Sequence, residues 1–134
     1  FDVMRDVDVH KQSTRGSDER VVAGRESGLF QLGDEVTWQA RHLLVRQRLT
    51  VKVVVCDPPR LLVDEMVRGA FASFTHTHAF RETDDGCVMI DDFDYRAPLG
   101  FIGRIADVLF LERYMTAFLQ VRATVIRDTC ERIA

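Results

Sequence analysis

The stretch from Cys87 to Gly100, CVMIDDFDYRAPLG, ends one kind of structure and prepares another. From Cys87 to Arg96 it alternates, as a strand with one buried face does. Met89, Asp91, Phe93 and Tyr95 fall on one side, and Val88, Ile90, Asp92 and Asp94 on the other. Pro98 then stops the ladder. Beyond it the period turns helical: Phe110, Tyr114, Ala117, Phe118, Val121 and Val125 follow the i, i+4, i+7, i+8 spacing of one helix face. Arg113, Arg122, Arg127 and Arg132 take polar positions. No proline occurs from Phe101 to Ile133 and no glycine after Gly103, so one long amphipathic helix is expected there.

Upstream of this switch the chain reads as strands. RVVAG (Arg20 to Gly24) is short. Val36 to His42 alternates, with Val36, Trp38, Ala40 and His42 sharing a face. Arg46 to Val55 is rich in β-branched residues. The Pro58-Pro59 pair breaks it. Leu61 to Arg68 and Phe71 to Arg81 follow, and ETDDG (Glu82 to Gly86) supplies a hairpin turn. STRGSDE and GLFQLGDE read as a polar loop and a turn. Consecutive strands with short connections predict an antiparallel meander. The fold class is therefore α+β: a curved antiparallel sheet of six to seven strands gripping the long C-terminal helix, with a cavity between them.

The chain has 134 residues, which suits one domain over 1–134 with one core. Hydrophobic residues make up 46%, which argues against disorder. The net charge of −3 comes from interspersed charges without a basic run, so no nucleic-acid partner is expected. Cys56, Cys87 and Cys130 are odd in number and far apart, which suits reduced thiols and a cytoplasmic location. No apolar run approaches the roughly 18 residues of a membrane span. The chain begins at Phe1 rather than Met, so a segment upstream of it is expected.

FTHTHAF, Phe74 to Phe80, carries the main functional signal. Alternation puts Phe74, His76, His78 and Phe80 on one face. If that face is the core, His76 and His78 are buried imidazoles and need partners. Asp91, on the following hairpin strand, is at a plausible cross-strand position. Three uses of the pair compete: metal ligands about 7 Å apart at the backbone with His42 or Asp91 as a third, polar lining of a ligand cavity, or imidazoles bonded to neighbours. The cavity reading is preferred, with no bound metal and no cofactor. For Leu61 to Arg68, alternation leaves two faces open, since both Asp64, Met66, Arg68 and Leu61, Val63, Glu65, Val67 contain a charge. His10 and Ser13 could gate or contact a ligand, but the preferred reading is a helix end, with Ser13 capping the next turn.

Three stretches carry a resemblance to a known superfamily: FDVMRDVDVHKQS at the start, LGDEVTWQARH in the middle, and VDEMVRGAFASFTHTHAF followed by DDFDYRAPLGFIGRIADVLFLERYM. They resemble the helix-grip, START-related (SRPBCC) superfamily, and within it bacterial polyketide cyclase/dehydrase-like proteins. The resemblance covers nearly the whole chain. It implies a deep cavity for lipids, polyketides or other hydrophobic molecules, and it favours the Asp64, Met66, Arg68 face. It also implies one more strand ahead of the first helix, which would leave the last strand as an edge here.

The candidate ligand-binding residues are Trp38, His42, Met66, Arg68, His76, His78, Asp91, Phe93, Tyr95, Tyr114 and Phe118. The expected function is binding or carriage of a hydrophobic small molecule, such as a lipid or polyketide. One alternative is a cyclase or dehydratase with the cavity histidines as general acid or base and Asp91 orienting a ring. Another is a protein–protein module built on an open groove. No nucleophile motif and no phosphate-binding loop is present.

Overall fold

The computed structural model describes residues 1–42, 44–100, 102, 105 and 110–133. A short helix α1 (Val7–Ser13) and a 3-10 turn (Arg15–Ser17) precede six strands. These are β1 (Arg20–Gly24), β2 (Glu35–His42), β3 (Val45–Asp57), β4 (Leu61–Arg68), β5 (Ser73–Thr83) and β6 (Gly86–Arg96). A long helix α2 (Glu112–Ile133) ends the chain. The strands form one antiparallel sheet in chain order, as the meander requires. This is a helix-grip arrangement with six strands. The expected start of the last helix near Phe101 falls largely on residues outside those described.

Local chemistry explains the element ends. Asp6 caps α1, its carboxylate accepting from the backbone N–H of Asp8 at 2.7 Å and of Val9 at 3.3 Å. Ser13 does not cap a following turn, contrary to expectation. Its hydroxyl donates back to the His10 carbonyl at 2.7 Å, a bond available to any serine in a last helical turn. β1 meets β2 closely at Gly24, whose φ is +87° and where an added Cβ would lie 2.1 Å from the Glu35 carbonyl oxygen.

The core forms two adjoining clusters on the inner face of the sheet. Val7, Val36, Trp38, Val51 and Phe74 make one, and Met4, Val53, Leu62 and Ile126 the other. The second cluster fastens the C-terminal half of α2 to the strands, and α2 also packs on α1. Its N-terminal half, with Tyr114 and Phe118, stands over a cavity.

The face of α2 differs from the one read from spacing. Phe110, Ala117 and Val121 are exposed, whereas Arg122 is buried alongside Ile126. The inward stripe runs Met115, Phe118, Leu119, Arg122 and Ile126, an i, i+3, i+4, i+7 pattern rotated from the expected one. A guanidinium in that stripe reads as polar in sequence, yet it is turned inward toward buried carboxylates.

Among the described residues, no helix is long and apolar enough to cross a membrane.

Candidate functional site

The cavity between sheet and helix measures about 160 Å³. Its walls are mostly apolar and aromatic, with Trp38, Leu49, Phe71, Phe74, Phe93 and Phe118 among them. Into this lining the strands deliver a cluster of ionisable side chains. Strand register explains their meeting. The tight β5–β6 hairpin sets His78 opposite Asp91 and His76 opposite Phe93. The β4–β5 ladder sets Asp64 opposite His76 and Leu62 opposite His78. Side chains of one face in neighbouring strands are then within reach of each other.

His78 is the most enclosed of them, with 2% of its side chain exposed. Its Nδ1 is hydrogen-bonded to Asp91 Oδ1, and its Nε2 lies 3.5 Å from Asp64 Oδ2. Burial alone would lower this imidazole's pKa, but the two carboxylates outweigh it and hold the pKa above the usual histidine value. Asp91 shows the reciprocal effect. Burial favours its neutral form, yet His76 and His78 hold the carboxyl well below its ordinary range.

His76 is buried and its ring stands 4.0 Å from that of His78. Its Nε2 lies 3.4 Å from Asp91 Oδ1 but makes no hydrogen bond. Burial, followed by the neighbouring His78 charge, lowers its pKa and keeps the ring neutral near pH 7. A second buried polar atom without a hydrogen bond, Arg122 Nε, belongs to a residue lining the same cavity. The Arg122 charge acts on Asp64, Glu19 and His10.

In the same cavity His10 stacks on Trp38, with ring centroids 4.0 Å apart. Its Nε2 is 3.1 Å from Glu19 Oε1, and both side chains are largely buried. Burial and then the Arg122 charge push the His10 pKa down. His42 meets the helix, with Nδ1 2.6 Å from the Tyr114 hydroxyl and its ring edge-on to Phe118. Burial lowers its pKa and raises that of Tyr114.

Of the residues singled out in the sequence, Trp38, His42, His76, His78, Phe93, Tyr114 and Phe118 line the cavity. Asp91 and Tyr95 line a neighbouring cleft of about 560 Å³ between β6 and α2, which Phe93 also borders. Met66 packs against the first core cluster. Arg68 is exposed near the end of β4, opposite Thr50, and the cavity is walled without it. The buried face of β4 is the one bearing Leu62, Asp64 and Met66.

Among the cavity residues not expected as site residues from sequence are His10, Glu19, Asp64 and Arg122. His10 reads as part of a helix end, but its ring is buried against Trp38. Asp64 stands on one of two possible faces, and its direct pairing with His76 settles the choice. Glu19 sits in a polar loop and Arg122 on a helix, where nothing in the local pattern marks either as buried.

No protein-family model matches the chain, and no curated protein matches it. Among solved structures, the fold is similar to a crystal structure of TTHA0849 from Thermus thermophilus. That likeness has a TM-score of 0.74 at 15% sequence identity, and covers 94% of this chain and 83% of that one. At such identity it speaks to the fold alone.

Proposed function

We propose that this chain binds or carries a small hydrophobic molecule in the cavity between its sheet and α2, as a relative of START-related, polyketide cyclase/dehydrase-like proteins. The observation that carries the reading is an aromatic-walled cavity into which two buried polar atoms, His76 Nε2 and Arg122 Nε, bring unmet hydrogen-bonding capacity. An apolar space with a few placed polar groups is the usual form of a small-molecule site. Its 160 Å³ is below the roughly 300–1,000 Å³ of drug-sized pockets. It is close to the roughly 150 Å³ that holds one benzene in an engineered cavity. The guest is therefore a single ring, or the end of a lipid-like chain, with an oxygen that meets the polar wall. The cysteines, all free thiols, support a reducing compartment such as the cytoplasm.

Native mass spectrometry of the purified chain, together with titration of a fluorescent hydrophobic probe, tests this. Ala40 is buried and lines the cavity, so Ala40→Leu fills part of it. The probe is expected to bind the parent chain and to lose affinity in the folded variant. Equal binding by both would place the probe elsewhere and end the proposal.

One observation favours a second reading, acid–base catalysis. His76 is neutral near pH 7 and its Nε2 makes no hydrogen bond, as a general base requires. His78 is less suited, because both its nitrogens face carboxylates. A guest recovered with altered mass after incubation, but unaltered with His76→Gln, would favour catalysis over carriage.

A further inference from the structure

We propose that Asp64, His76 and His78 form a binding site for a divalent transition-metal ion of zinc's type, with Asp91 as the positioning residue behind His78. A carboxylate oxygen of Asp64 and one nitrogen from each imidazole lie within 4.8 Å of one another. Two imidazoles and a carboxylate are a recurrent zinc donor set, and they leave a coordination position for water or a ligand oxygen. From sequence a metal-free polar patch is preferred, and the third ligand of a metal site would be His42 or Asp91. His42 is instead engaged by Tyr114 and Asp91 by the histidines, and the fold brings in Asp64.

Three independent features point to an ion. The first is spacing. His78 Nε2 and Asp64 Oδ2 are 3.5 Å apart, longer than an ordinary hydrogen bond. Two donors each 2.0–2.1 Å from a tetrahedral ion stand about 3.3–3.4 Å apart. The second is the support behind the ligand. When His78 Nδ1 donates its proton to Asp91, the lone pair of Nε2 is directed at the Asp64 side. A histidine ligand braced by a carboxylate is the common outer-shell device of zinc sites. The third is the buried His76 Nε2, which has no hydrogen bond. The three ligands belong to the polar wall of the guest cavity, but zinc uptake needs no guest and does not depend on the carrier reading.

The test uses the full chain, stripped with a chelator and titrated with zinc alone, then with cobalt(II) as a spectroscopic substitute. The expected result is saturation at one ion per chain and a cobalt spectrum of low coordination number. Asp64→Asn, nearly isosteric, and His76→Gln should abolish saturable uptake, while Asp91→Asn should weaken it about 10- to 100-fold. Cys87→Ser, an exposed thiol remote in sequence from the cluster, should change nothing. Absence of saturable uptake by the parent chain overturns the proposal. So does uptake that survives Asp64→Asn and His76→Gln, or that disappears with Cys87→Ser. Should a ligand variant fail to fold, the parent chain's cobalt spectrum decides, because thiolate and imidazole–carboxylate ligation absorb differently. Hydrophobic-probe binding by the zinc-free chain tests the carrier reading separately.

Discussion

His78 and Asp91 face each other across the β5–β6 ladder, and the imidazole Nδ1 is bonded to the carboxylate Oδ1. Both groups are removed from bulk water, so each controls the other's ionisation. Their pairing sets the polarity of the cavity wall and fixes which nitrogen of His78 faces Asp64.

Stability should fall on acidification. The chain has four histidines. His10, His42 and His76 have lowered pKa values, each chiefly from burial. Unfolded, these rings take up protons near pH 6.5, and folded only at lower pH. Their contribution is complete above about 6.5 and is lost as pH falls through their folded values. His78, with its raised pKa, acts oppositely: its contribution is present below about 6.5 and is lost as pH rises through its folded value. Asp64 and Asp91, both lowered, keep their contribution until pH falls below about 4. His10, His42 and His76 act in one direction across this window and His78 in the other, and the melting midpoint is expected to be lower at pH 5.5 than at pH 7.5. An equal or higher midpoint at pH 5.5 contradicts the buried, neutral assignment.

Trp38, the chain's one tryptophan, reports on His10. The stacked imidazole quenches indole emission more when protonated. Emission should therefore drop on acidification with a midpoint below the usual histidine value, since burial lowers the His10 pKa. His10→Ala should remove that transition. A midpoint at 6.5 or above, or a transition retained in the variant, would show that another group is responsible.

Much of this site is legible from alternation. Phe74, His76, His78 and Phe80 on β5, and Met89, Asp91, Phe93 and Tyr95 on β6, take the less exposed face in each strand. Period two fixes such a face once one large apolar residue is placed. β4 is ambiguous by alternation because both of its faces carry a charge; the resemblance favours the Asp64 face, and the register against β5 fixes it. Arg122 and Glu19 lie beyond local pattern. A charged side chain turns inward when opposite charges wait there, and those charges come from distant segments. His10 is hidden for a similar reason, since its partner Trp38 is on β2.

Phe118 borders the cavity and is only half-buried. A fully packed phenylalanine costs about 3–5 kcal/mol when cut to alanine. Here the ring already faces space on one side, so Phe118→Ala should cost less than about 3 kcal/mol in urea unfolding. A loss within or above the packed range would mean that the cavity is closed over this ring.

Tyr114→Phe tests the link between sheet and helix. It deletes the hydroxyl 2.6 Å from His42 Nδ1 and keeps the ring that packs edge-on to His42. The expected loss is about 1 kcal/mol, the net worth of one hydrogen bond. No change in urea midpoint would mean that water replaces the phenol without cost.

The two histidines of β5 should separate when each is replaced. Their alternation in sequence suggests equal roles, with substitution altering ligand binding more than folding. Their surroundings differ. His78 stands between Asp64 and Asp91, so His78→Ala leaves two buried carboxylates without their shared partner. Breaking a buried pair from one side costs about 3–5 kcal/mol, because the remaining charge keeps its desolvation penalty. His76 Nε2 stands 3.4 Å from Asp91 Oδ1 without a hydrogen bond, so leucine, apolar and of comparable size, removes a buried polar atom and a longer contact to a carboxylate that keeps His78. His76→Leu should therefore change stability by less than about 1.5 kcal/mol, while weakening guest binding and abolishing zinc uptake. Urea unfolding of both variants at pH 7 in zinc-free buffer measures the difference. If His76→Leu is as destabilising as His78→Ala, then His76 is bound into the carboxylate network as firmly as His78. Its Nε2 would not then be free for a guest or a metal.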